Sequence, residues 1–359
     1  VTLSPDQAAA LTQLEDFLRA PRRTLRQPYF VLHGLAGTGK TTLMAHLTRS
    51  YRGITLAAFT GKAASVLRTK TGLPASTLHS VVYDFRGMAE DEETGEEQPV
   101  FVSKGAELPD HVVLIDESSM VGHTLAEEVL ATGARVVACG DPGQLPPVRD
   151  AQFFTEANAT LVNIHRQALG SPIIRQAHAV RTAGDYAEDG PEFRVVPRGT
   201  PDEILGHDVI LCWRNRTRRD LNARKRELLG HPRDQLLSGE PVMCLRNNHR
   251  LGIYNGATYD LAAPWDPATK RLALAVAPSR VLWVENATVE DHDPDYEERR
   301  REDTSAPFAL AYAATVHKSQ GSEWPSVLLF DEATRDRVPW LYTGITRAAE
   351  RVTVVRWRD

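Results

Sequence analysis

Gly34-Leu35-Ala36-Gly37-Thr38-Gly39-Lys40-Thr41 is the stretch that decides the fold. It fits the spacing GxxxxGK[ST]. It follows the apolar run Tyr29-Phe30-Val31-Leu32-His33 and precedes a segment of helical composition. The run predicts a buried strand, and the glycines let the next backbone amides curl around a phosphate at a helix N-terminus. Gly34, Gly37, Thr38 and Gly39 then form the cradle of a nucleotide site. Lys40 reaches its β- and γ-phosphates, Thr41 ligates Mg²⁺, and Thr42 follows in the same first turn. At average residue frequencies a chance match arises in roughly one chain in a hundred of this size. The strand-turn-helix context makes chance rarer still.

Downstream, Val112-Val113-Leu114-Ile115 ends in Asp116-Glu117. A buried strand ending in two acids delivers both carboxylates to the sheet edge that carries the phosphate loop. There Asp116 holds the hydrated Mg²⁺ and Glu117 orients and polarises the attacking water. Alone, an apolar run ending in Asp-Glu reads equally well as a solvated strand end. The next apolar run, Arg135 to Cys139, is followed by Gly140-Asp141-Pro142-Gly143-Gln144-Leu145-Pro146-Pro147, where Gln144 is a neutral group able to sense the γ-phosphate or the water. In isolation this is a proline-rich turn. Phosphoryl transfer also needs cations that arrive when the site closes. The candidates are Arg166, in Ile164-His165-Arg166-Gln167, and Arg347, in Thr346-Arg347-Ala348.

Around these motifs strands and helices alternate, which predicts an α/β fold with parallel sheets covered on both faces. Ser4-Pro5 reads as a helix start, with Ala8, Leu11, Leu14 and Leu18 on one face up to about Arg19. The 359 residues suit two core domains with small insertions. Two segments break the alternation. Phe85 to Asp110 carries the acidic run Glu90 to Glu97 and reads as a hairpin with a charged tip. Glu240 to Ala306 carries β-like pieces, then the charged stretch Glu290 to Asp303, and reads as a small β-barrel. A second alternating region begins near Leu161, resumes at Phe308 and ends in Val352-Thr353-Val354-Val355.

The net charge of −5 gives no global basic signal for nucleic acid. It leaves open a groove built of hydroxyls, amides, rings and a few cations. Cys139, Cys212 and Cys244 lack CxxC spacing. That argues against a disulfide framework or a zinc site and for buried, reduced thiols of a cytoplasmic protein. The start of the chain shows no targeting pattern, and no apolar run nears the roughly 20 residues needed to span a membrane.

Further motifs make the resemblance specific: Gln7, Thr60-Gly61-Lys62-Ala63-Ala64, Thr77-Leu78-His79-Ser80, and Thr315-Val316-His317-Lys318-Ser319-Gln320-Gly321-Ser322-Glu323. With those above, they occur in the order found in superfamily 1B DNA helicases of the RecD and Dda type, and the chain resembles that family over nearly its whole length. The His-Lys-Ser-Gln-Gly and Gly-Asp…Gln-Leu-Pro-Pro stretches discriminate best, because general P-loop kinases and GTPases lack both.

The resemblance implies two RecA-like P-loop domains, at 1–84 with 111–150 and at 151–239 with 307–359. A β-hairpin pin spans 85–110 and a small β-barrel of the SH3 type spans 240–306. It implies that Gln7 reads adenine, that Arg166 and Arg347 reach the γ-phosphate from the second domain, and that Gln320, Gly321 and Glu323 lie near the nucleotide. Thr60, Lys62, Thr77, His79, Asn215, Thr315, His317 and Lys318 would line the strand-binding face. Phe101 would stack on a base from the pin, with hairpin core as its alternative role. The implied activity is ATP- and Mg²⁺-dependent translocation on single-stranded DNA and unwinding at junctions, 5′ to 3′, by a monomeric motor with no membrane partner. A translocase subunit of a larger DNA-processing complex and a nucleotide-gated clamp are the alternatives. The chain departs from the family in its acidic pin tip and in the basic stretch Arg214 to Arg219, which adds phosphate contacts or forms a solvated helix face.

Overall fold

A computed structural model describes the chain except residues 1–2, 52, 91–96, 106–107, 109–110, 148–149, 164–169, 249–250, 266, 278, 293–305 and 357–359. Two compact units emerge, Val1–Ala168 and Leu169–Asp359.

In the first unit, strands β1 (Tyr29–Gly34), β2 (Ile54–Ala58), β3 (Ala75–Thr77), β6 (Val112–Asp116), β7 (Arg135–Gly140) and β8 (Ala159–Leu161) form one sheet in the order β3-β2-β6-β7-β1-β8, parallel throughout. Strand residues alternate between two cores. Phe30, Leu32, Leu56, Leu114 and Val137 pack with α1 (Pro5–Arg19), α2 (Lys40–Ser50) and α3 (Gly61–Thr71). Val31, Ala57, Val113, Ile115 and Val136 pack on the other face with α4 (Leu78–Val82) and α5 (His123–Ala131). Burial on both faces is why these strands read as unbroken apolar runs. Helix α1 starts at the expected cap, with Ser4 and Gln7 closing a capping box. Its buried face is Gln7, Ala10, Leu14 and Phe17, rotated from the expected one, and Ala8 is exposed.

Strands β4 (Tyr83–Glu90) and β5 (Glu97–Ser103) pair antiparallel as a separate ribbon where the hairpin was expected; its acidic tip lies largely outside the described residues. The first unit also runs past residue 150. Strand β8 completes its sheet beside β1, Asn158 exchanges two hydrogen bonds with the Val31 backbone (2.7 and 2.9 Å), and Asp6 accepts from the amides of Val162 and Asn163. Leu161 therefore ends the first sheet instead of opening the second region.

The second unit has a five-stranded parallel sheet and a six-stranded one. The parallel sheet holds β9 (Phe193–Val196), β10 (Val209–Cys212), β17 (Ala313–Thr315), β18 (Trp324–Asp331) and β19 (Ala348–Arg356) in the order β17-β10-β18-β19-β9. Its helices are α6 (Pro172–Ala183), α7 (Pro201–Leu205), α8 (Asn215–Leu228), α9 (Val316–Ser319) and α10 (Arg337–Ile345). The other sheet arises from the inserted segment: β11 (Pro241–Cys244), β12 (Thr258–Leu261), β13 (Leu272–Ala277), β14 (Arg280–Val284), β15 (Ala287–Val289) and β16 (Ala306–Leu310). Its order is β14-β13-β12-β11-β16-β15, antiparallel except at β15–β16.

Helix α8 ties the two sheets together. Asn222 bridges the Leu310 carbonyl and the Ala313 amide, and the buried Glu240 carboxylate accepts from Arg226 at 2.7 Å and from the Tyr312 hydroxyl at 3.2 Å. Cys139, Cys212 and Cys244 are buried free thiols on β7, β10 and β11. Among the described residues no helix is long and apolar enough to cross a membrane.

Candidate active site

The phosphate loop runs from the end of β1 into α2. Gly37 and Gly39 both adopt φ of 81°, left-handed backbone that glycine enters without a Cβ penalty. Lys40 donates from Nζ to the carbonyls of Gly34 and Leu35, at 2.6 and 3.1 Å, so its ammonium lies over the loop that it would serve. Thr38 is fully buried and donates to Leu35. Thr41 is half-buried and Thr42 exposed in the first turn of α2. Gln7 is 1% exposed; its Nε2 donates to the Thr38 carbonyl at 2.9 Å and its Oε1 accepts from the Ser4 amide. It thus pins the start of α1 onto the loop.

Strand β7 lies between β1 and β6, so the ends of three neighbouring parallel strands carry the chemistry, as ligand sites of open α/β sheets do. Burial raises the Asp116 carboxyl to about 6, the negative charge of Glu117 adds to the effect, and Lys40 opposes it. Glu117 stands at φ 54°, a left-handed conformation that costs a side-chain-bearing residue free energy and gathers at functional sites. That turn sends Ser118 and Ser119 back into full burial. After β7, the buried Asp141 accepts from the Gly143 amide at 2.9 Å through its carboxylate and from the Gln144 amide at 3.2 Å through its carbonyl. Gln144 is buried within this turn.

In the second unit Arg347 is 6% exposed. It donates to the carbonyls of Thr343 and Ser322 and to the Thr346 hydroxyl, at 3.1 to 3.3 Å. Gln320 is buried, Gly321 adopts φ 72°, and Glu323 is exposed. Arg166 lies outside the described residues.

Thr60, Thr77 and Thr315 share one local device. Each follows or ends a parallel strand and caps the next helix, its Oγ1 accepting from the amide three residues on, in Ala63, Ser80 and Lys318. The cap uses an oxygen lone pair, and the hydroxyl proton is a donor beside a helix start, where backbone amides favour an anion. Lys62 is half-buried and its ammonium is lowered to about 8 by burial. Exposed His79 lies edge-on to Phe59 and stacked toward Tyr83, the first residue of the hairpin. Burial lowers the His317 imidazole, Asp336 opposing, and Lys318 is half-buried beside it. Phe101 lies on β5 opposite Phe85, and its side chain is outside the described part.

Asn215 is exposed at the start of α8, but that helix start differs from the other three. Glu332 already accepts there from the amides of Trp213 and Arg214 and from the Thr217 hydroxyl, at 2.8 to 3.0 Å. The basic stretch is divided. Arg218, 3% exposed, and Arg219 both pair with Glu290 of the insertion, at 2.7 and 3.1 Å, while Arg214 and Arg216 are exposed. Arg218 and Arg219 are therefore engaged within the protein, while Arg214 and Arg216 form the solvated part of the stretch. Sequence reasoning missed Glu332, Glu290 and the Ser118–Ser119 pair. The strand-end position of Glu332, after Phe330-Asp331, was the one signal available.

The AAA domain family matches residues 2–190, more than half of the chain, and the UvrD-like helicase C-terminal domain matches residues 310–355. The chain is 30% identical to the ATP-dependent RecD2 DNA helicase of Deinococcus radiodurans, over 97% of its own length and 48% of the relative's. It is 28% identical to the RecBCD enzyme subunit RecD of Mycolicibacterium smegmatis, over 95% and 70%. It thus spans about half the length of the first relative. A Pif1 helicase structure, from work on unwinding at forked double-stranded DNA, superposes with TM-score 0.66 at 21% identity, over 100% of this chain and 93% of that one; at that identity the likeness concerns the fold. With a helicase-type C-terminal segment matched in the second unit, the chain belongs to the AAA domain family, and its RecD2, RecD and Dda relatives support the superfamily 1B RecD and Dda type.

Proposed function

We propose that this chain is an ATP-driven translocase on single-stranded DNA and a DNA helicase, moving 5′ to 3′ as a monomer. The observation that carries the proposal is the gathering of Lys40, Asp116, Glu117 and Gln144 at one sheet edge, with the Thr60 helix cap after the adjacent strand β2 and the Thr77 cap at the end of β3 beyond it. The relatives named ATP-dependent DNA helicases support it.

In this reading the loop amides and Lys40 bind the nucleotide phosphates, with Gln7, Gln320, Gly321 and Glu323 around the base and ribose. Thr41 and Asp116 are hard oxygen donors that suit a hydrated magnesium ion, which when bound neutralises phosphate charge. Glu117 takes the proton of the attacking water, Gln144 senses the terminal phosphate, and Arg347 and Arg166 are the cations proposed for the charge that develops there. Thr60, Lys62, Thr77, His79, Asn215, Thr315, His317 and Lys318 hold the strand. The hairpin β4–β5 is the pin, with Phe101 stacking on a base, and the six-stranded insertion is the family's SH3-like barrel.

ATP-dependent unwinding of duplexes with a 5′ or a 3′ single-stranded tail tests this. Unwinding of the 5′-tailed substrate alone is expected, and unwinding of the 3′-tailed one reverses the direction. A second reading, a translocase subunit of a larger complex, draws on the relatives named RecBCD enzyme subunit RecD. It predicts strand-stimulated ATP hydrolysis without strand separation by the isolated chain.

A further inference from the structure

Four buried side-chain atoms of the first unit lack a hydrogen-bond partner among the described residues: the Tyr51 hydroxyl, the Ser118 and Ser119 hydroxyls, and Gln144 Oε1. Tyr51 follows the C-terminus of α2, the end of that helix remote from the phosphate loop. The other three belong to the strand ends that carry Asp116 and Glu117 on one side and Asp141 on the other. Their chemistry is complementary. Each serine offers an O–H donor without an acceptor, and Gln144 Oε1 is an acceptor without a donor.

The backbone brings the two segments together at one point. Ser118 is fully buried against Gly140, where a Cβ would lie 2.4 Å from Ser118 Oγ and 3.2 Å from the Ser119 amide nitrogen. Glycine at 140 therefore admits the serine turn beneath the loop that bears Gln144. Burying two hydroxyls without partners is unfavourable, and alanine would fill both positions at lower cost. Resting on the nucleotide reading above, we infer that in the ATP-bound state a hydroxyl of the Ser118–Ser119 pair donates to Gln144 Oε1 and so turns the Gln144 Nε2 donors toward the terminal phosphate. A carboxamide presents an acceptor at one end and donors at the other, and only the donor end attracts phosphate oxygens. A hydroxyl behind Oε1 selects that end. Ser118 and Ser119 are thus positioning residues that act through Gln144.

The test is strand-stimulated ATPase and thermal melting on the full chain and on S118A/S119A, S118A/S119T, Q144A and the triple variant S118A/S119A/Q144A, with K40A as the inactive control. S118A/S119A is expected to lower kcat on the order of tenfold, the worth of about one hydrogen bond. Its KM for ATP stays near the parental value and its melting temperature does not fall. S118A/S119T, which keeps one hydroxyl, recovers most of the rate, and the triple variant is no slower than Q144A. A parental kcat in S118A/S119A, a lowered melting temperature, or a loss that multiplies with that of Q144A overturns the inference. A parent chain no more active than K40A overturns the nucleotide reading itself, which separates the two failures.

Discussion

Replacing Glu290 by glutamine should destabilise the second unit severely, because it removes the carboxylate that pairs directly with the buried Arg218 and leaves only the neighbouring Asp291 charge near it. Glu290 is 8% exposed and accepts from Arg218 at 2.7 Å and Arg219 at 3.1 Å; Arg218 is 3% exposed and its Nε has no partner among the described residues. Arg219, 39% exposed, can turn to water, but Arg218 cannot. Breaking a buried pair by removing one charge costs about 3–5 kcal/mol. For a unit of this size, Leu169–Asp359, each kcal/mol lowers the melting temperature by about 2–4 °C, so E290Q should lower it by roughly 6–20 °C. The double variant Arg218→Met with Glu290→Met should regain most of the loss, since it removes both desolvated charges. Circular-dichroism melting of the three proteins is the assay. An E290Q variant melting within about 2 °C of the parent would refute the argument and mean that water or another acceptor reaches Arg218.

Four further outcomes follow from the site. Lys40→Ala should lose nucleotide binding together with turnover, whereas Glu117→Gln should bind ATP and not hydrolyse it; equilibrium binding of a labelled nucleotide beside steady-state ATPase separates them, and parental hydrolysis by Glu117→Gln removes the water-activation role. Asp116, raised to about 6, is protonated below that pH, and the proton must leave before a metal binds. Apparent Mg²⁺ affinity should thus be flat above pH 7 and fall about tenfold per unit below 6, with a flat magnesium titration at pH 5.5 against 7.5 as the contrary result. Arg347→Ala should lower kcat by ~10³-fold with a smaller change in ATP affinity, and an unchanged kcat transfers the finger role to Arg166. Phe101→Ala should keep strand-stimulated ATPase and open fewer base pairs per ATP, Phe101→Trp should restore coupling, and a lower melting temperature instead would identify a hairpin core residue.

The phosphate loop and the paired acids were legible because each depends on residues close in sequence: glycines that allow a turn, an apolar run that buries a strand, a polar pair at its end. What was not legible depends on distant partners. Arg218 and Arg219 stand among cations in sequence, and nothing local shows that an acid 72 residues away takes up Arg218. The end of the first unit was misplaced for a similar reason. Pro146-Pro147 resembles a domain boundary, whereas the three residues of β8 join the sheet through register with β1 and through Asn158, a pairing without local periodicity. On α1 the apolar pattern suited two neighbouring helix faces. The sheet chose the one carrying Ala10, Leu14 and Phe17, because Gln7 must reach the Thr38 carbonyl.

The helix starts separate residues that share a place in the sequence pattern. Thr60, Thr77 and Thr315 are neutral caps, so no side-chain carboxylate offsets the partial positive charge in the cap itself, and the Thr77 hydroxyl is also hydrogen-bonded to that of Ser80. At α8 the same position is filled by the Glu332 carboxylate through three hydrogen bonds, which satisfies the start of the helix and sets a negative charge beside Asn215. A phosphate would meet repulsion there, and Arg214 and Arg216 are the exposed cations nearby. Each cationic side chain that grips phosphate releases counterions, with a salt slope near −0.7 per contact on a single strand. Neutral caps release none. If the proposed strand-binding face relies on Thr60, Thr77 and Thr315 more than on Lys62 and Lys318, single-stranded DNA binding should show a shallow salt dependence, and a slope of several units would show that the lysines dominate.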